Sequence, residues 1–218
     1  MSGVTLPMSP IIAGSPKESH RGNARWMRLI DVAKLESGHT PSRRRPEWWG
    51  GHVPWLSLPD IRKLHGKHVY ETLEYTNEAG IANSSARILP TGTVCFSRTA
   101  SVGFVTILGK PMATSQDFCN WVCNEEKLDP EFLMYALMAS QQHLRELGSG
   151  AVHKTIYMPT IKTFHICAPV VTEQRRIARM LKDQLALAHD VIAKIETQLT
   201  DANALPDKFL SAAFGDDK

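Results

Sequence analysis

The 218-residue sequence lacks most of the features that would assign it a chemistry. It has no uninterrupted apolar run of the roughly 18 to 20 residues that a spanning helix needs. Its opening 23 residues have no basic stretch followed by an apolar core of secretory type, so a cytoplasmic protein with no membrane partner is expected. Four cysteines, Cys95, Cys119, Cys123 and Cys167, are too few for a disulfide framework. Cys119 and Cys123 have the spacing of a metal half-site, but no second close Cys or His pair answers them. On a strand, positions four apart share a face, so packed, reduced thiols and no metal are expected. There is no GxxxxGK[ST] loop, no complete GxGxxG, no HExxH, no GxSxG and no Asn-Pro-Pro-aromatic motif, and the nine histidines show no i, i+4 pairing. One enzymatic set survives, Asp60 with Glu125, Glu126 and Lys127 around a Mg²⁺ ion. Its halves lie 65 positions apart, and both also read as turn residues at strand ends.

What is present is an ordinary globular composition, 43% hydrophobic and 22% charged, with an uneven charge distribution. Residues 1–70 hold 11 Lys/Arg against 5 Asp/Glu, leaving 14 against 17 for the rest. The positive charge gathers around GHTPSRRRPEWWGGHVPWLSLPDI (38–61), where Arg43, Arg44 and Arg45 precede Trp48, Trp49 and Trp55. Clustered basic charge suits a polyanion, and equally a solvated loop.

Residues 1–23, rich in Ser, Pro and Gly without a period, read as a flexible leader. From Trp26 the texture changes. MRLIDVAKLESG suggests a short helix and a strand, and the runs 53–58, 93–97, 102–108 and 118–123 read as strands. Asp129 and Pro130 open a helix with a stripe of Phe132, Leu133, Ala136, Leu137, Ser140 and Leu144, closed by Gly148. A glycine-containing loop and a last strand, FHICAP, follow.

From Glu173 to Leu205 there is neither Gly nor Pro, and Ile177, Leu181, Leu185, Ala188, Ile192, Ile195, Leu199 and Ala202 recur in steps of three or four. Such a helix is about 50 Å long and carries an apolar seam that suits a partner helix, the alternative being a helix folded back on its own domain.

Several stretches in order resemble the DNA-specificity subunits of type I restriction-modification systems. They are Trp26-(x)2-Leu29, Leu35-(x)2-Gly38-(x)-Thr40-Pro41, Trp49-Gly50-Gly51-(x)2-Pro54-Trp55-Leu56 with Asp60-Ile61, Leu89-Pro90-(x)-Gly92-Thr93-Val94, Ser101-Val102-Gly103, Ala113-Thr114-(x)-Gln116, Pro169-(x)3-Glu173-Gln174-Arg175-(x)-Ile177 and Phe209-Leu210-(x)-Ala212-Ala213-Phe214-Gly215. After the flexible leader over 1–23, the resemblance implies an α/β (α+β) target-recognition domain over 24–170 and a long C-terminal coiled-coil spacer helix over 171–218. It also implies a non-catalytic chain that binds double-stranded DNA beside methyltransferase (modification) subunits and, in a complete system, an ATP-dependent restriction and translocase subunit. S-adenosylmethionine, ATP and Mg²⁺ then belong to those partners, and none is expected on this chain. The family's usual subunit carries two recognition units with paired helices. A chain with one unit is therefore expected to be a half-length form, a homodimer through Ile177, Leu181, Leu185, Ala188, Ile192, Ile195 and Leu199, reading a bipartite, symmetric site; the alternatives are a fragment of a longer subunit and pairing with a different half-subunit.

Recognition needs side chains at base edges and phosphates. The candidates are Arg43, Arg44, Arg45, Arg62 and Lys63, then Arg98, Thr99 and Ser101 between two strand runs, and His153, Lys154 and Tyr157 before the last strand. Trp55 reads as core. The alternative is an interaction or inhibitory module that docks on a methyltransferase by its coiled coil without reading DNA.

Overall fold

The computed structural model describes residues 6–148 and 154–215. Short β-branched and aromatic runs become strands sorted into three sheets. The first is antiparallel, in the order β1 (Ile11–Ala13), β12 (Phe164–Ala168), β3 (Ala24–Arg28), β2 (His20–Arg21). The second has β5 (Trp49–Leu56) between a parallel β10 (Ala113–Thr114) and an antiparallel β7 (Glu74–Thr76). The third runs β4 (Ala33–Ser37), β11 (Phe118–Cys123), β8 (Val94–Ser97), β9 (Val105–Leu108), β6 (His68–Val69), and its neighbours are antiparallel except β9 and β6. A four-residue helix, α1 (Leu29–Val32), links β3 to β4 and so joins the first sheet to the third.

The remaining helices are α2 (Leu58–Lys63), α3 (Glu78–Ala82), α4 (Pro130–Ala139), α5 (Gln141–Glu146), α6 (Met158–Ile161) and α7 (Val171–Phe214). Asp129 caps α4 as its sequence predicts, accepting from the Phe132 N–H at 2.9 Å, with Pro130 opening the helix. Its stripe, with Leu144 of α5, is buried, and α4 lies across β8 and β9. The main core gathers Leu56, Ile61, Val69, Leu89, Cys95, Leu108, Met112 and Phe118. A smaller one holds Val53, Trp55 and Ala113 beside Trp49 and Ile81. Gly38 closes β4 where a Cβ would lie 1.9 Å from the Ser115 carbonyl oxygen, which gives that glycine a steric reason.

Three expectations need correction. Residues 1–23 are not an aperiodic leader in their described part. Ile11 is wholly buried, β1 pairs with β12, and the Cys167 N–H donates to the Pro10 carbonyl at 2.9 Å. Two adjacent isoleucines make one edge strand too short to show a period. The helix expected through 147 is two helices, because Ser140 leaves helical geometry (φ −89°, ψ 3°) and its hydroxyl accepts the Ile11 N–H at 2.9 Å. The run 102–108 is strand only from Val105, since Gly103 turns at φ +100°.

The chain divides into two units at Ile177. The first contains the three sheets and the opening of α7, so its boundary falls later than the expected 170. The second is the rest of α7, which continues through Pro206, although proline removes one intrahelical donor. Among the described residues no helix is long and apolar enough to cross a membrane.

Candidate nucleic-acid interface

The β8–β9 connection, residues 98–104, is held in one shape by its own backbone. The Ser97 N–H donates to the Phe104 carbonyl at 2.8 Å, and the Gly103 N–H to the Ser97 carbonyl at 3.0 Å. The Ser97 hydroxyl accepts from the Phe104 N–H and donates to the Ser101 carbonyl. Ala100 sits at φ +59°, a left-handed geometry that costs a non-glycine residue on the order of 1 kcal/mol. That cost is offset by stitching to the segment 154–156: Ala100 N–H to the Lys154 carbonyl (3.0 Å), Ile156 N–H to the Arg98 carbonyl (2.8 Å), and a bridge between Thr99 and Thr155.

Cations converge on this loop. The Arg62 Nε, at the end of α2, donates to the Ser101 hydroxyl at 2.7 Å. From α5, the Arg145 Nε donates to the Val102 carbonyl at 3.1 Å, and the Gln141 amide, one helical turn earlier, donates to the Gly103 carbonyl at 2.9 Å. Gly103 permits this approach, since a Cβ there would come within 2.7 Å of Gln141 Cγ and 3.3 Å of Arg145 Nε. The Arg98 Nη2 donates to the Gln116 carbonyl at 2.9 Å, while its buried Nε has no hydrogen-bond partner. His65 accepts the Val105 N–H at Nδ1 (3.1 Å) and meets the Phe104 ring edge-on; burial, with a smaller push from the Arg145 charge, holds its pKa below the ordinary value. Among the described residues, none of Arg62, Lys63, Arg98, Arg145 and Lys154 is ion-paired.

The structure thus brings together Arg62, Arg98, Thr99, Ser101 and Lys154, which the sequence scatters over 93 positions. Lys63 is exposed beside Arg62, and exposed Tyr157 follows the bridged segment. His153 lies outside the described residues. Sequence reasoning missed Gln141, Arg145 and His65. The first two stand i, i+4 on the helix read only for its apolar stripe, and that polar spacing was the available signal.

The arginine triplet divides. Arg43 is built into the loop: its two Nη groups donate to both Glu74 oxygens at 2.5 and 2.8 Å, and its guanidinium lies 3.7 Å from the Trp49 centroid and 5.0 Å from that of Trp55. Trp55 is 4% exposed and its indole N–H donates to the His39 carbonyl at 3.1 Å, so it is core. Arg45 meets Glu47 at 3.6 Å, and exposed Arg44 has no ion pair among the described residues. Gln116 connects the two loops, bonded to the Thr40 hydroxyl through its side chain and to Arg98 through its carbonyl.

The thiols and carboxylates left over have structural explanations. All four cysteines are free, and burial pushes Cys119 and Cys123 up to about 12. Asp60, 3% exposed, accepts from the Ser57 N–H and hydroxyl and from the Leu73 N–H, which satisfies its oxygens as a capping residue rather than a metal ligand. Among the described residues no three His, Cys, Asp or Glu side chains cluster as a metal would require.

On α7, Ile177 is 7% exposed and belongs to the first unit, which removes it from the seam expected to meet a partner. Leu181 is half-buried. Ala188 is exposed, as are Leu185, Ile192, Ile195 and Leu199, the last three each more than half.

Residues 23–201 match the family model described as the type I restriction modification DNA specificity domain. The chain is 27% identical over 156 residues, 71% of its length, to the MjaIX specificity subunit of Methanocaldococcus jannaschii, of which this covers 36%. It is 29% identical over 125 residues to the HindI specificity subunit of Haemophilus influenzae, covering 56% of this chain and 26% of that one. A solved chain from a type I R-M system superposes with a TM-score of 0.66 at 19% identity over 87% of this chain and 46% of that one. The HsdS subunit of Thermoanaerobacter tengcongensis does so at 0.60, with 21% identity over 80% and 41%. The chain therefore spans about a third of the length of these curated relatives and under half of these solved chains.

Proposed function

The chain belongs to the type I restriction-modification DNA specificity domain family, and we propose that it is a sequence-specific, double-stranded-DNA-binding specificity subunit that works beside methyltransferase subunits and carries no catalytic residues of its own. The observation that carries this reading is one preorganised loop that contains Arg98, is bonded by the guanidinium groups of Arg62 and Arg145 and is stitched to the backbone of Lys154, with no carboxylate paired to any of the four among the described residues. Phosphate neutralisation supplies affinity, while the mixed donors Thr99, Lys154 and Tyr157 suit base edges. Methyl transfer from S-adenosylmethionine, and ATP- and Mg²⁺-dependent cleavage where a restriction subunit is present, fall to partner subunits.

The exposed seam of α7 extends the reading to a two-fold dimer through Leu181, Leu185, Ala188, Ile192, Ile195 and Leu199. Isologous pairing of identical units imposes a palindromic, interrupted target.

Selection from a random-sequence duplex pool, with and without the modification subunit, tests the function. Enrichment of one bipartite motif is expected. Tight association with the modification subunit but no enrichment in either arm would replace this reading with a docking or inhibitory module.

A further inference from the structure

Resting on the DNA-binding reading above, we propose that Arg62 and Arg145 form a clamp for the phosphodiester backbone that holds the duplex on the domain without reading its sequence. Each guanidinium is fixed through one nitrogen. The Arg62 Nε bonds the Ser101 hydroxyl and the Arg145 Nε bonds the Val102 carbonyl, so consecutive loop residues orient the two groups. The Nη groups of both make no hydrogen bond or ion pair among the described residues, the Arg145 guanidinium lies 5.9 Å from the Phe104 centroid, and both side chains are exposed. These are the nitrogens a guanidinium uses to fork onto phosphate oxygens.

Two like charges are anchored on adjacent residues, and no carboxylate is paired to either one among the described residues. Such a pair of cations favours an anion between or beside them. The geometry is also paid for in advance: Gly103 leaves space for α5, Gln141 ties the loop to the same helix, and Ser97 closes the loop from beneath. Little ordering is then needed on binding. Both anchors are a backbone carbonyl and a short hydroxyl, so the clamp keeps its shape whichever bases lie opposite Thr99, Lys154 and Tyr157. Phosphates carry no direct sequence information, and such a clamp sets register and affinity.

The test is fluorescence anisotropy on the full chain with a selected duplex and a scrambled one across a salt series. Arg145→Ala is expected to weaken both by about tenfold and to reduce the slope of log K against log salt by about 1. Arg145→Lys, which keeps the charge but not the fork, is expected to retain the slope and recover only part of the affinity. A thermal melt confirms that both variants fold, which an exposed helical position allows. Wild-type affinity and slope in Arg145→Ala, or a loss confined to the selected duplex, would overturn the clamp while leaving DNA binding intact. Wild-type protein that binds neither duplex at any salt would overturn both.

Discussion

The Arg43 guanidinium stacks on the Trp49 ring at 3.7 Å while both its Nη groups hold the Glu74 carboxylate, so the first arginine of the basic triplet fastens its own loop to β7. Arg44, one residue on, has no ion pair among the described residues and stays exposed. The two therefore differ in what their removal does. Arg43→Ala is expected to lower stability by about 1 kcal/mol, a sum of a solvent-screened ion pair and a cation–π contact. Arg44→Ala is expected to leave stability within about 0.5 kcal/mol and instead to weaken DNA binding. Urea unfolding and anisotropy on the two variants check this; equal stability losses would refute the division.

The same pair gives a pH dependence. Hydrogen bonds from Arg43, against a smaller opposing effect of burial, hold the Glu74 pKa below its ordinary value of 4.5. The native carboxylate then binds fewer protons than the unfolded one at mildly acid pH. Its contribution is fully present above the ordinary value and is lost as pH falls through the depressed one. The stability gap between wild type and Arg43→Ala should stay constant from neutral pH down towards 4.5 and shrink below it. Urea midpoints measured down to about pH 3 follow it, and a gap that does not close would assign the Arg43 effect to the aromatic stack alone.

Gln174 sits in the Glu173-Gln174-Arg175 motif with no solvent exposure. Its amide oxygen accepts the Asp129 N–H at 2.9 Å, and its nitrogen donates to the carbonyls of Lys127 (3.0 Å) and Pro169 (2.8 Å). One side chain thereby serves three backbone groups at the start of α4, the turn after β11 and the end of β12. Gln174→Ala strands them and should cost about 2–4 kcal/mol. Gln174→Glu places a carboxylate against two carbonyls and should cost no less. Chemical denaturation distinguishes this from a surface change, which would stay within about 0.5 kcal/mol.

How much of this was legible depended on the range of the signal. The α4 cap and stripe, the core role of Trp55 and the body of α7 are written in neighbouring residues, and the sequence shows them; the last turns of α7 are not, since the periodic run stops at Leu205 before Pro206 while the helix continues to Phe214. The role of Gln174 is not, because its partners lie 5 to 47 positions away. The edge strand at Ile11 escaped notice for the same reason: its partner β12 begins more than 150 residues later. The arginine triplet looked uniform because charge is read residue by residue, whereas Glu74, which distinguishes Arg43 from Arg44, arrives only through the pairing of β5 with β7. Arg145 was hidden by the apolar stripe on its own helical segment.

The α7 seam supports the last prediction. Leu185, Ile192, Ile195 and Leu199 are 37–59% exposed, and each apolar side chain of this kind gains about 1.5–3 kcal/mol on full burial. A second copy of the same seam would cover them at matching spacing, since identical helices carry identical steps of three and four. Light scattering behind size exclusion should therefore give twice the 24.3 kDa chain mass. Leu185→Lys with Ile192→Lys removes two anchors per helix and sets like charges against each other across the two-fold axis. Lysine is a good helix former, so far-UV circular dichroism should be unchanged. Four lost anchors per dimer weaken association by at least about 1,000-fold, enough to leave only monomer at micromolar concentration. The symmetric bipartite site should vanish with the dimer, leaving half-site binding. A wild-type monomer, or a double variant that still elutes as a dimer, would show that this seam is not what pairs the chains.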